Sequence, residues 1–173
     1  MLKTKRLKKL RLPTHTPKRS KTIPMYHLGG NLTEAQIDTF LSLTLQWCKE
    51  TLGKPRRNLP EIEWTWNCTD FQSEKVWAEY LTDENIIKVR IQGHKTIYNL
   101  ANSIIHEYTH YLQPRKGNWY YRWNNSVGYE NNPYEIEATH IASVYDVQCT
   151  HAVLETMFPR RMGRFNGEDI WAK

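Results

Sequence analysis

From Thr96 to Gln113 the apolar residues recur at the spacing of one helix face: Ile97, Leu100, Ala101, Ile104, Tyr108 and Leu112. Such a stripe has to be buried against a core. Pro114 closes the run, because its ring nitrogen cannot donate the next backbone hydrogen bond. The opposite face carries Asn99, Ser103, His106 and His110. A chain built around this helix must hold one side in its core and leave the other on a surface or along a cleft. Directly upstream, the run Ile86 to Ile91 is rich in β-branched residues and ends at Gly93, the pattern of a strand.

The rest of the chain supplies the partners. Thr33 and Gln36 have the spacing of a capping box. Ile37, Phe40, Leu41, Leu43, Thr44 and Trp47 follow near helical spacing, until Gly53 and Pro55 stop the run. Ile62 to Trp66 alternates as a strand does, whereas Val76 to Leu81 fits neither template clearly. Arg115 to Asn132 reads as a loop of glycine, asparagine and aromatic residues. Pro133 then opens a helix that runs to about Met157, since proline is well tolerated at the first helical position. The last stretch shows no pattern, and no internal repeat occurs. His27 to Asn31, with Gly29 and Gly30, reads as a turn. The expected organisation is a basic, disordered tail over 1–24 and one α+β domain over 25–173.

With 173 residues and 39 % hydrophobic content, one domain with a modest core is expected. No run of 18 or more apolar residues occurs, which argues against a membrane-spanning helix and a membrane partner. The basic N-terminus has no apolar block after it and does not read as a secretory signal. Cys48, Cys68 and Cys149 are odd in number and form no C-x-x-C pair. A disulfide framework and a cysteine-rich zinc ribbon are therefore not expected, and a reduced, cytoplasmic setting is. The net charge of +6 comes from the tail: nine Lys and Arg lie between Lys3 and Lys21, leaving 15 basic against 18 acidic side chains elsewhere. Such a tail is expected to be solvated, with non-specific attraction to nucleic acid as its functional reading.

His106-Glu107-Tyr108-Thr109-His110 is an H-E-x-x-H motif. Residues four apart on a helix lie about 40° apart around its axis, so both imidazoles can reach one zinc ion. Glu107 stands about 100° round from His106, where it is poised to act as general base toward a water. A third ligand is needed, and the downstream helix offers Glu135 and Glu137. Glu137 shares a face with Tyr134, Ile141, Val144, Tyr145 and Ala152, and a carboxylate in an apolar stripe is costly unless paired or metal-bound. Glu137 is therefore the expected ligand and Glu135 the fallback. His140 and His151 follow on the same helix as a possible orienting group, a fourth ligand or structural histidines. Tyr120, Tyr121, Tyr129, Tyr134 and His151 are candidate oxyanion donors.

These residues resemble the gluzincin group of zinc metallopeptidases, in which a HExxH helix precedes a glutamate-bearing helix. His106, Glu107, His110 and Glu137 followed by Ala138 carry the resemblance, which spans roughly Ile86 to Met157. In size the chain is similar to minimal members of the ImmA/IrrE type. The resemblance implies a zincin-like α+β fold, with a small mixed sheet whose edge strand packs on the HExxH helix. It implies one zinc per chain and Glu107 as general base and acid in peptide hydrolysis. It also implies that Ile86 to Ile91 is the edge strand, pairing with a peptide substrate through Val89 and Ile91. Tyr129, in the aromatic loop, would line the substrate site. The chain departs from the group in having Ile141 where an acidic residue often follows the third ligand by one turn. The metzincin pattern fails at Gln113 and Lys116, and the later histidine of SprT-like proteases has no match. Two other readings are a catalytically idle zincin-fold module whose tail engages nucleic acid, and a zinc hydrolase of non-peptide amides. A small peptidase with a basic tail would suit a phage or mobile element.

Overall fold

A computed structural model describes residues 23–25, 30–55, 57–67, 69, 71, 73, 75–114 and 118–159. Ile23–Met25 (β1) pairs antiparallel with Gly30–Leu32 (β2). Ile23 and Pro24 thus belong to a strand rather than to the tail, and Gly30 and Asn31 to a strand rather than to a turn. The remainder of the expected tail, 1–22, lies outside the described residues, as do 26–29 and Cys68.

Glu34–Thr51 forms α1. Its first turn is closed as the capping box predicts: Gln36 N donates to Thr33 Oγ1 at 3.3 Å, and Thr33 N donates to Gln36 Oε1 at 2.9 Å. Ile37, Phe40, Leu41 and Cys48 bury one face.

Glu61–Thr65 (β3), Ala78–Leu81 (β4) and Ile86–Arg90 (β5) make a three-stranded mixed sheet in the order β3-β5-β4. The β5 strand runs parallel to β3 and antiparallel to β4, so it is central. This corrects the expectation of an edge strand at Ile86 to Ile91. Val89 pairs with Trp64 on one side and Ala78 on the other, and Ile91 N donates to Thr65 O at 2.9 Å. A β-rich run with one face buried and both edges paired looks the same in sequence as an edge strand. The edge beside the helical layer belongs to β4, the segment whose sequence fits no template.

The turn between β5 and the next helix is fixed tightly. Gly93 has φ +134°, and side-chain atoms of Trp77 and Arg90 lie 3.2 Å from where a Cβ would stand. Only glycine suits that conformation and that space. His94 then bridges: its Nδ1 donates to Arg90 O at 2.9 Å, and its Nε2 accepts from Ser103 Oγ at 2.9 Å.

Ile97–Leu112 is α2, capped by Thr96, whose side chain accepts from Asn99 N. Its buried face includes Ile97, Leu100, Ala101, Ile104, Tyr108 and Tyr111, packed with Ile87 and Val89 of β5 and the apolar face of α1. Tyr108 satisfies its buried hydroxyl by donating to Gly53 O at 2.7 Å.

The expected loop is mostly helical. Trp119–Val127 forms α3, and Tyr129–Asn131 a 3-10 turn. No residue of α3 is buried. Pro133–Met157 is α4, the helix expected there, with Asn132 as N-cap and Pro133 at its start. It packs most extensively against α2. Its buried residues Glu135, Ala138, Ala142, Cys149 and Val153 recur at helical spacing, whereas Ile136, Val144 and Val147 are exposed. The fold is α+β, with a small mixed sheet and a helical layer. No helix among the described residues is long and apolar enough to cross a membrane.

Candidate metal centre

His106 and His110 project from the same face of α2, one turn apart, and their rings meet edge to face with centroids 4.8 Å apart. The two Nε2 atoms are 3.1 Å apart. The first turn of α4 brings Glu135 onto both: Oε2 lies 3.1 Å from His106 Nε2, and Oε1 lies 3.3 Å from His110 Nε2. One ligand atom from each of the three residues lies within 4.8 Å of the others, and the group can hold a metal ion. Two imidazole nitrogens and a carboxylate oxygen are a donor set that first-row divalent ions accept.

The carboxylate at this centre is Glu135, not Glu137. Glu135 is 5 % exposed, whereas Glu137 lies on the exposed side of α4 and accepts from Gln113 Nε2 at 2.9 Å. The apolar stripe through Glu137 misleads because apolar residues ring this helix, and Ile136, Val144 and Val147 face outward. The buried side of α4, which packs mainly against α2, carries instead Glu135 and the small residues Ala138 and Ala142.

Burial works against ionisation of Glu135, but hydrogen bonds with His106, His110 and Tyr120 outweigh it and hold the carboxyl well below the usual range. Burial likewise disfavours the charged His110 ring. The Glu135 hydrogen bond, the charges of Glu107 and Glu135 and the Gln113 contact reverse that and raise its pKa. Glu107 is 8 % exposed. Burial raises its pKa; His106 and His110 pull the other way, while Glu135 and Glu79 on β4 reinforce the rise. A carboxyl pushed upward beside two imidazoles is a stronger proton acceptor than an ordinary carboxylate.

Two tyrosines close the centre from the segment before α4. Tyr120 of α3 donates to Glu135 Oε1 at 2.6 Å and sets its ring edge to face with His110. The Tyr120 carbonyl accepts from Asn132 Nδ2 at 3.2 Å, so the N-cap of α4 also anchors α3. Tyr129 is exposed but lies near enough to Glu135 to feel its charge. Burial and then Glu135 push both hydroxyls well above the ordinary tyrosine value.

Other expected site residues stand elsewhere. Val89 and Ile91 are 0 % and 1 % exposed in the core, so neither side chain is available to a substrate. His140 is exposed and outside the cluster. His151 pairs with Tyr98, its Nε2 3.0 Å from the tyrosine hydroxyl. Tyr121 is exposed, and Tyr134 contributes its carbonyl to Gln113 at 2.9 Å. Sequence reading missed Gln113 and Glu79 as neighbours of the centre. Gln113 carries a signal, standing three residues after His110 and hence on the same side of the helix. Glu79 carries none, because only strand pairing brings it near.

Compared with known proteins, the chain matches no family model, no curated protein and no solved structure.

Proposed function

We propose that this chain is a zinc-dependent metallopeptidase with a zincin-like fold. His106, His110 and Glu135 would hold one zinc. The observation that carries the reading is the convergence of those three donors beside a buried Glu107 whose carboxyl is pushed upward. A zinc ion there supplies Lewis acidity, which polarises a carbonyl and makes a water more acidic. Glu107 takes the proton from the attacking water and returns it to the leaving amine. Tyr120 spends its one hydrogen on Glu135 and so orients that carboxylate, whereas Tyr129, which stays protonated above neutral pH, would be the donor to the oxygen that gains charge. Among the described residues nothing pairs with the outer edge of β4, whose Glu79 is close enough to influence Glu107. A peptide adding to that edge as a strand would run past Glu107.

The test is metal content and cleavage together. The wild-type protein should contain about one zinc per chain, and Glu107→Gln should keep the metal while losing hydrolysis of a peptide library. Wild-type protein that takes up no zinc, or a Glu107→Gln variant that cleaves at the wild-type rate, ends the proposal. The nine basic residues between Lys3 and Lys21 favour a second property, salt-dependent contact with nucleic acid. Deleting 1–22 should abolish it, and an unchanged affinity for duplex DNA in low salt would refute it.

A further inference from the structure

We infer that Gln113 and Glu137 form an outer relay that fixes the tautomer and aim of His110, and thereby sets how tightly the centre holds its metal. The inference rests on the metal-binding reading above, and its first observable does not need the metal.

The argument follows from which atoms can donate. Gln113 is 9 % exposed. Its Nε2 lies 2.9 Å from the Tyr134 carbonyl and 2.9 Å from Glu137 Oε2. A carbonyl and an ionised carboxylate only accept, so the amide NH2 has to face α4. The amide oxygen must then face His110, and Oε1 is indeed 2.8 Å from His110 Nδ1. An amide oxygen cannot donate, so Nδ1 has to carry the hydrogen. With Nδ1–H committed to Gln113, Nε2 is the nitrogen left facing His106 and Glu135; toward the Glu135 carboxylate it can only donate, and once that hydrogen leaves, its lone pair is the one offered to a metal. The relay therefore presents His110 as a ready ligand.

Glu137 adds charge to this orientation. Its carboxylate draws on the amide hydrogens, which strengthens the acceptor at Oε1 and makes the imidazole a better donor to a metal. Position matters as well. Gln113 is the C-cap of α2, and its contacts are to the first turn of α4, so one side chain ties together the ends of the two helices that carry all three ligands. Glu137 is thus a positioning residue acting through Gln113 and His110, not a ligand.

Nitrogen NMR of the His110 ring should show a hydrogen on Nδ1 in metal-free and in zinc-loaded wild-type protein alike. Gln113→Leu should shift the ring toward the Nε2–H form and weaken zinc binding, measured by chelator competition, about 10- to 100-fold. Glu137→Gln, on an exposed side chain, should keep the metal-free melting temperature and weaken zinc up to about 10-fold. The exchange Gln113→Glu with Glu137→Gln rebuilds the pair, with a carboxylate accepting from His110 and an amide donating to it. Its zinc affinity should return to within a few-fold of wild type. If Gln113→Leu does not fold, Glu137→Gln and the exchange carry the test. A wild-type ring with no hydrogen on Nδ1, or variants that bind zinc as tightly as wild type, overturns the relay alone. Wild-type protein that binds no zinc overturns the metal reading beneath it.

Discussion

Replacing Glu135 and Glu137 one at a time by Gln separates ligand from outer partner, because the two carboxylates are two residues apart yet meet different neighbours. Glu135 contacts both imidazoles at 3.1 and 3.3 Å, and Glu137 contacts Gln113. The ligands come from separate helices, 29 residues apart for His106 and Glu135, so the unfolded chain presents no such site. On the proposed reading, zinc would therefore stabilise the folded state by RT ln(1 + [Zn]/Kd), about 2.7 kcal/mol at 100 times the wild-type Kd. For a chain of this size, about 1 kcal/mol moves Tm by roughly 2–4 °C, so wild type should gain roughly 5–11 °C. Loss of an outer partner costs up to about 10-fold, leaving zinc near ten times Kd and a gain of roughly 3–6 °C for Glu137→Gln. Loss of the ligand itself costs on the order of 100-fold or more, leaving about 0.4 kcal/mol or less and a gain of roughly 1–2 °C at most for Glu135→Gln. The assay is differential scanning fluorimetry at one fixed free zinc concentration, with chelator-treated protein as baseline. A full shift in Glu135→Gln with none in Glu137→Gln would refute the assignment.

Three further outcomes follow from the same contacts. Glu107→Gln should retain the zinc-dependent rise in Tm while peptide hydrolysis falls about 10²- to 10⁴-fold, the usual worth of a general base; a loss of the zinc shift would place Glu107 among the ligands instead. Tyr120→Phe removes the 2.6 Å hydrogen bond to Glu135 and should weaken zinc up to about 10-fold without unfolding the protein, as read by chelator competition. His94, whose pKa burial lowers from 6.5 to about 4, stays neutral when folded while the unfolded chain takes up its proton. Its contribution is complete above pH 6.5 and erodes as pH falls toward 4, with a slope of up to about 1.4 kcal/mol per pH unit. Chemical denaturation of chelator-treated His94→Gln should lack that part of the slope; an identical pH profile would count against the buried neutral ring.

The sequence by itself determined the helices that carry the centre. The capping box at Thr33, the stripe from Ile97 to Leu112 and Pro133 at a helix start are local signals, and local hydrogen bonding and helical periodicity act on them wherever the chain goes. The pairing of His106 with His110 was legible for the same reason, since one helical turn fixes their separation. What tertiary structure alone decided was which side of α4 meets α2, and which strand forms the edge of the sheet. Apolar residues surround α4, so its stripe does not name the buried face; the packed side is the one that buries Ala138 and Ala142, and it carries Glu135 inward and leaves Glu137 outward. Val89 and Ile91 have the composition of a strand on either an edge or a centre; pairing with β3 and β4 makes the strand central, and packing into the core with α1 and α2 buries both side chains. Tyr120 was a candidate by residue type, but its bond to Glu135 depends on a helix formed where the sequence reads as a loop, and Glu79 comes near Glu107 only through strand pairing. Such placements depend on long-range packing, and neither residue type nor spacing encodes them in a short window.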